Sequence, residues 1–200
     1  GDGTIVVGTG AKAEAKVASW LYSYNDYGGV YDYRPATNSV VVGTNAMSQG
    51  TGNVVIGANA STQGDRVLAL FDDRGVEIRD ENGNKQLDVI YRDQNNTVVG
   101  NSAYSLGGVG GAAFGYSAGA YGPGSTAVGY FSYALGRSST AIGGFLDADL
   151  SYGNAPKAAS ARSPYGRAVA QGIGAQVFGG ASSAWGNYDT AIGPDAHTDA

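Results

Sequence analysis

A glycine recurs at close to every seventh residue through most of this chain. Aligned on an apolar-apolar-Gly triplet, the sequence reads TIVVG to Gly8, SVVVG to Gly43, NVVIG to Gly57 and NTVVG to Gly100. It continues as GAAFG to Gly115, STAVG to Gly129, STAIG to Gly143, AQVFG to Gly179 and DTAIG to Gly193. Neighbouring triplets without an insertion lie 14 or 15 residues apart, and glycines at 50, 64, 107, 122, 136, 172 and 186 mark the half-period. A short fixed period is the signature of a stacked repeat. Glycine at this density excludes helix, because each one costs about 1 kcal/mol relative to Ala in a helix interior. It suits a short strand closed by a tight corner, since glycine takes up positive φ without a clash. Two strands and two corners make one 14-residue coil, and coils stack through parallel backbone hydrogen bonds about 4.8 Å apart. The expected fold is all-β: one elongated parallel β-roll solenoid over residues 1–200.

The two half-repeats differ. In the first, the residue before glycine is always apolar (Val7, Val42, Ile56, Val99, Phe114, Val128, Ile142, Phe178, Ile192), and the one before that is Val or Ala throughout. Successive strand residues face opposite ways, so both faces of this strand are apolar. One face fills the coil. The other needs a second apolar surface, and with no helix to supply it the expected cover is another copy of the chain. In the second half-repeat, small residues (Ala103, Ser105, Ala118, Ala120, Ser132, Ala134, Ser182, Ala184) alternate with larger ones. By the period-two rule the small ones point inward and Tyr104, Leu106, Tyr121, Tyr133, Leu135 and Trp185 point outward as a ladder. Contiguous exposed apolar surface implies contact with something.

Three stretches break the period: residues 9–38, 65–95 and 144–167. The first carries five of the fourteen tyrosines and one of the two tryptophans. The second holds 13 of the 29 charged residues and reads as a β-hairpin turning at Asn82-Gly83. The third holds two of the five prolines and reads as a loop. Insertions in solenoids map to loops outside the stack and often carry function. Tyrosine offers a large rigid contact area plus a hydroxyl, which suits adhesive surfaces and glycan faces. Candidate ligand-binding residues are therefore Trp20, Tyr22, Tyr24, Tyr27, Tyr31 and Tyr33 in the first insertion, with Tyr104, Tyr121, Tyr133 and Trp185 on the roll. The alternative role for the insertion tyrosines is packing against the roll or between chains.

Other chemistry finds little support. A net charge of -5 offers no electrostatic footprint for nucleic acid. There is no cysteine, so neither disulfides nor thiolate metal sites are available. No apolar run approaches the roughly 20 residues of a membrane helix. The chain does not begin with Met and shows no signal peptide, so a processed or excised fragment is expected. The only histidine, His197, falls in DAHTDA and is expected to be a solvated tail. Gly8–Ala13 and Gly122–Ala127 match a loose G-x-G-x-x-A but open no helix in a βαβ unit. Paired carboxylates at Asp72-Asp73, Asp80-Glu81 and Asp147/Asp149 could serve glycoside cleavage, yet carboxylates in turns usually serve solvation. A threonine array of the ice-binding kind is broken by Val40, Val54 and Gln176. No catalytic residue, metal or cofactor is expected.

The segment AVGYFSYALGRSSTAIG resembles the YadA-like head repeat of trimeric autotransporter adhesins, whose pattern runs A-I-G-x-x-S-x-A-x-G-x-x-S-x-A-I-G. The resemblance extends over residues 96–143, more loosely over 39–64 and 168–196, and over one repeat at 1–8. It implies a left-handed β-roll assembled as a homotrimer about one axis. It also implies a bacterial cell-surface location, anchored outside this stretch, and binding of a host-surface protein or glycan. Similar repeats occur in phage tail fibres and other virion fibres, which leaves a glycan-directed virion receptor-binding module as the alternative. The sequence has no neck motif, coiled-coil stalk or membrane anchor of the adhesin family, and its long tyrosine-rich insertions depart from the pattern.

Overall fold

The computed structural model describes residues 3–14, 37–62, 66–69, 81, 87–91, 94–106, 108–144 and 167–198. Among these the regular secondary structure is all strand, in two nine-stranded parallel sheets and one two-stranded antiparallel ribbon. The first sheet stacks the apolar triplets in order, from Ile5–Val7 through Val40–Val42, Val54–Ile56 and Thr97–Val99 to Thr190–Ile192. The second stacks the other half of each coil, from Lys12–Glu14 to His197–Thr198. This is the expected parallel β-roll. Nine coils at about 4.8 Å per step make a stack about 40 Å long.

Register follows the glycine alignment without slippage. Val41 pairs with Val55, Val55 with Val98, Val98 with Ala113 and Ala113 with Ala127. Strand pairing passes over the insertions: Val7 pairs with Val42, Ile56 with Val99, and Ile142 with Phe178. A one-residue slip would turn every inward side chain outward, so the buried face holds the stack in register.

The interior is thin. Along the stack Val41, Val55 and Val98 are followed by Ala113, Ala127 and Ala141 and then by Val177, all fully buried. From the second sheet, Ala103, Ser105, Ala118, Ala120, Ser132, Ala134 and Ala184 meet them, also fully buried, with Ser182 buried beside them. Beside this apolar seam runs a polar column. Asn53 Nδ2 donates to Ser48 Oγ at 3.1 Å, and the Asn96 backbone N–H donates to Asn53 Oδ1 at 2.9 Å. Asn96 Oδ1 in turn accepts from the Gly111 N–H at 2.7 Å and from Ser105 Oγ at 3.1 Å. Buried amides are tolerated because each finds its partners.

The glycines do not all serve as the corners the sequence suggests. The residues in the tight left-handed conformation lie two positions further on: Asn45 (φ 54°), Asn59 (55°), Ser102 (54°), Ser117 (51°) and Phe131 (54°) at one corner. Asn38 (φ 54°), Asn95 (56°), Gly124 (65°) and Ser138 (55°) take this role at the other. The third position of such a β-turn favours Gly and Asn, which explains most but not all of these residues. Repeat glycines of the first column, such as Gly43 (φ 140°) and Gly129 (124°), combine positive φ with crowding, because a Cβ would fall on the backbone of the next coil. Gly122, Gly136 and Gly172 serve crowding alone: a Cβ on each would collide with the carbonyl of Gly136, Gly172 and Gly186 respectively.

The roll also extends further than the glycine period indicates. Lys12–Glu14 pairs in parallel with Met47–Gln49, so the first coil continues beyond residue 9. Its second half escapes notice because Ala11 and Ala13, without a closing glycine, form the inner face. Residues 37 and 38 already belong to the next coil, and Gln94 bridges to Thr51 and Val109. In the charged insertion, Arg66–Ala69 pairs antiparallel with Leu87–Tyr91. The hairpin therefore involves an arm outside the expected Asn82-Gly83 turn, which itself lies outside the described residues.

Candidate binding surface

The first sheet's outer face bears one long apolar row, formed by the residue before each triplet glycine. Ile56, Phe114, Ile142 and Phe178 are exposed and Ile192 is 72 % exposed, with Val42, Val99 and Val128 half-buried between them. Nothing else in the described residues covers this row. Its cause is sequence-local: the inner position takes Val or Ala to fit the narrow coil, and period-two alternation sends the apolar residue two places after the Thr or Val outward.

The second sheet's outer face is organised differently, because its aromatic side chains cover the sheet themselves. Tyr104, Gly119 and Tyr133 occupy one column on successive coils. The glycine leaves room between the tyrosines, and their rings approach to 6.4 Å although a whole coil lies between them. Tyr121 completes the group, edge-on to Tyr104 at 5.3 Å and to Tyr133 at 5.9 Å, and the Tyr104 and Tyr121 hydroxyls share a hydrogen bond of 2.5 Å. Burial, then the hydrogen bond to Tyr121, holds the Tyr104 phenol far above its ordinary range, so it stays neutral. Leu106 and Leu135 flank the cluster, half-buried and exposed.

A second aromatic group turns the adjoining corner. Tyr116 and Tyr130 stack at 5.3 Å and are both about half exposed, and Phe131 meets Tyr130 edge-on at 4.7 Å. The Arg167 guanidinium bridges the groups, 5.1 Å from the Phe131 ring and 4.9 Å from the Tyr133 ring. Each such contact contributes about 0.5–1 kcal/mol. Tyr116, Tyr130, Phe131 and Arg167 are absent from the residues singled out by sequence. The signal was present: Tyr116 and Tyr130 both directly follow a triplet glycine, 14 residues apart.

Trp185 belongs to neither group. Its indole N–H donates to Ser183 Oγ at 3.0 Å, and Ser183 Oγ lies 2.8 Å from His197 Nδ1. His197 Nε2 is 2.9 Å from Asp195 Oδ1. All four groups are satisfied when the indole donates to the serine, the serine to Nδ1 and Nε2–H to the carboxylate. His197 is therefore no solvated tail: it pairs with Ser183 across the last two coils. The Ser–His–Asp order suggests a nucleophile, but Ser183 is 1 % exposed and its oxygen already takes the indole proton. A buried, occupied hydroxyl cannot meet a substrate.

Trp20, Tyr22, Tyr24, Tyr27, Tyr31 and Tyr33 lie outside the described residues. The points where the chain departs and returns are described: the first insertion leaves after Glu14 and the second after Thr62, both at the end of a second-sheet strand. Both return at the same kind of corner, before Asn38 and Asn95. The third leaves after Gly144, at the opposite corner beside Tyr130. Among the described residues there is no group of His, Cys, Asp or Glu that could hold a metal ion, and no helix long and apolar enough to cross a membrane.

The family model described as the YadA head domain repeat matches residues 107–132, 120–145 and 170–196, together about a third of the chain. These stretches carry YadA-like head repeats, and they include Tyr116, Tyr121, Tyr130, Tyr133 and Trp185, while Tyr104 lies just ahead of the first of them. No curated protein matches the chain.

Proposed function

We propose that this chain is the non-enzymatic head of a homotrimeric surface adhesin, a single elongated unit that holds three rolls side by side and presents loops and aromatic side chains to a host protein or glycan. The observation that carries the reading is the uncovered apolar row from Ile56 through Phe114 and Ile142 to Phe178. Its core of Ala, Val and Ser leaves the roll too slender to spare that surface, and a continuous apolar row of this length marks an interface. The YadA-like repeats support trimeric assembly and a surface-exposed, adhesive role. With the row at the axis, the second sheet faces outward with Tyr104, Tyr121, Tyr133 and Trp185, and these residues, together with Trp20, Tyr22, Tyr24, Tyr27, Tyr31 and Tyr33 of the first insertion, are the proposed ligand contacts. The setting is extracellular, at a bacterial cell surface.

Sedimentation of the purified chain tests the assembly. A trimer is expected, and Phe114→Asp with Ile142→Asp is expected to give monomers; a monomeric parent would overturn the reading. A glycan and matrix-protein binding screen tests the activity, with Trp20→Ala and Tyr24→Ala expected to weaken attachment. Unchanged attachment would remove the first insertion from the binding site.

A further inference from the structure

The described residues include six exposed asparagines: Asn38, Asn45, Asn59, Asn95, Asn101 and Asn187. Two of them carry a hydroxyl two residues on, in Asn59-Ala60-Ser61 and Asn95-Asn96-Thr97. Asn-x-Ser/Thr is the acceptor pattern for asparagine-linked sugars, provided the asparagine is at the surface. The coil geometry meets that condition in the same way at both places. Each acceptor sits on a left-handed corner, with φ 55° at Asn59 and 56° at Asn95. The middle residue, Ala60 or Asn96, turns inward and is fully buried. Ser61 and Thr97 therefore open the following strand on its outer face, half-buried. Amide and hydroxyl emerge on the same surface on either side of a buried residue. The Asn59 carbonyl oxygen accepts a long hydrogen bond of 3.5 Å from Asn45, and neither acceptor's Nδ2 donates to a protein atom among the described residues.

We propose that Asn59 and Asn95 are sites of N-linked glycosylation. The co-reactant is a phosphate-activated sugar, supplied to a glycosyltransferase of the producing cell. Nδ2 forms a bond to the anomeric carbon, the bond from that carbon to the phosphate oxygen breaks, and its electron pair leaves with the phosphate. One amide proton passes to a base on the transferase. The hydroxyl of Ser61 or Thr97 is the recognition element. Asn59 lies three residues ahead of the end of the strand Ser61–Thr62, after which the charged insertion leaves, and Asn95 stands at the corner where the roll resumes. The two sugars frame that insertion.

The experiment is intact-mass measurement and peptide fragmentation of the full chain taken from the cells that produce it. The expected result is a sugar on the peptides containing Asn59 and Asn95. Ser61→Ala and Thr97→Ala should each remove one, while Asn101→Gln, at an exposed asparagine that is not on a left-handed corner, leaves the mass of the attached sugar unchanged. The hydroxyl variants carry the decision because a glutamine at a left-handed corner also strains the fold. An unmodified native protein overturns the proposal. A sugar that persists in Ser61→Ala and Thr97→Ala overturns it too, and a sugar at only one asparagine overturns the assignment of the other.

Discussion

Tyr104 lies across Gly119, its strand partner on the next coil, so closely that a Cβ at position 119 would stand 2.8 Å from the ring's Cε2, Cζ and hydroxyl oxygen. The glycine has no positive φ to protect, so its role here is space alone. Filling that space should push the tyrosine out of its contacts with Tyr121 and Tyr133. Gly119→Ala is expected to cost about 1–3 kcal/mol, the usual penalty for overpacking. In Tyr104→Ser the same change should be close to neutral, since no ring remains to displace. A double-mutant cycle by chemical denaturation measures the coupling; additive effects would show that the ring does not depend on the glycine.

The glycines of the first column should tolerate substitution far less well. Gly129 combines φ 124° with a Cβ direction that ends on the Gly143 carbonyl. Gly129→Ala is expected to destabilise by at least about 3 kcal/mol, joining backbone strain to a clash that cannot relax by a rotamer change. Gly110 (φ 69°) has open space where its Cβ would go, so Gly110→Asn should stay within about 1 kcal/mol. Melting temperatures of the two variants check the contrast. Equal losses would mean that position in the repeat, rather than proximity to the next coil, governs tolerance.

Asn96 anchors the polar column from inside the coil. Its Nδ2 donates to the Gly108 carbonyl at 2.6 Å, and its Oδ1 receives the Gly111 N–H at 2.7 Å. Asn96→Leu keeps the branching of the side chain but strands the Gly111 N–H in a buried site, while the Gly108 carbonyl retains the Gln94 N–H at 3.3 Å. The expected cost is about 1–3 kcal/mol, from one unsatisfied buried donor. Urea midpoints give the measurement, and a midpoint at or above that of the parent would show that the column contributes nothing to stability.

Tyr104 also predicts the response to alkali. Its folded pKa is raised, chiefly by burial and then by the Tyr121 hydrogen bond, so above the free phenol's value of about 10 the folded chain keeps a proton that the unfolded chain releases. The stability it lends is therefore complete below pH of about 10 and declines as pH rises past that point. Denaturation midpoints between neutral pH and alkali should fall more steeply for the parent than for Tyr104→Phe. Parallel decline of the two would sink the assignment.

The stacking of coils was legible because it depends on rules that act within one period. A glycine where the next coil's backbone passes, a Val or Ala before the last apolar residue, and strict alternation together select the parallel roll, its register and its inward face. The Val41–Val55–Val98 column and the inward Ala103, Ser105 and Ala134 follow from counting alone. The hidden half-coil at Lys12–Glu14 and the half-buried place of His197 did not, because neither ends in a repeat glycine and only pairing with Met47–Gln49 and Ser183 locates them.

What the chain's order of residues determined, then, is the solenoid and which side chains leave it. Only the assembled stack decided what those side chains touch. Periodicity assigns Tyr104 and Tyr133 to one column, but the gap at Gly119 lets their rings lean together, and Arg167, brought in from beyond an insertion, joins Tyr133 to the Phe131 corner. Strand alternation is a local property of the backbone. The direction a long side chain takes along the stack depends on the volume left free by residues 14 or more positions away.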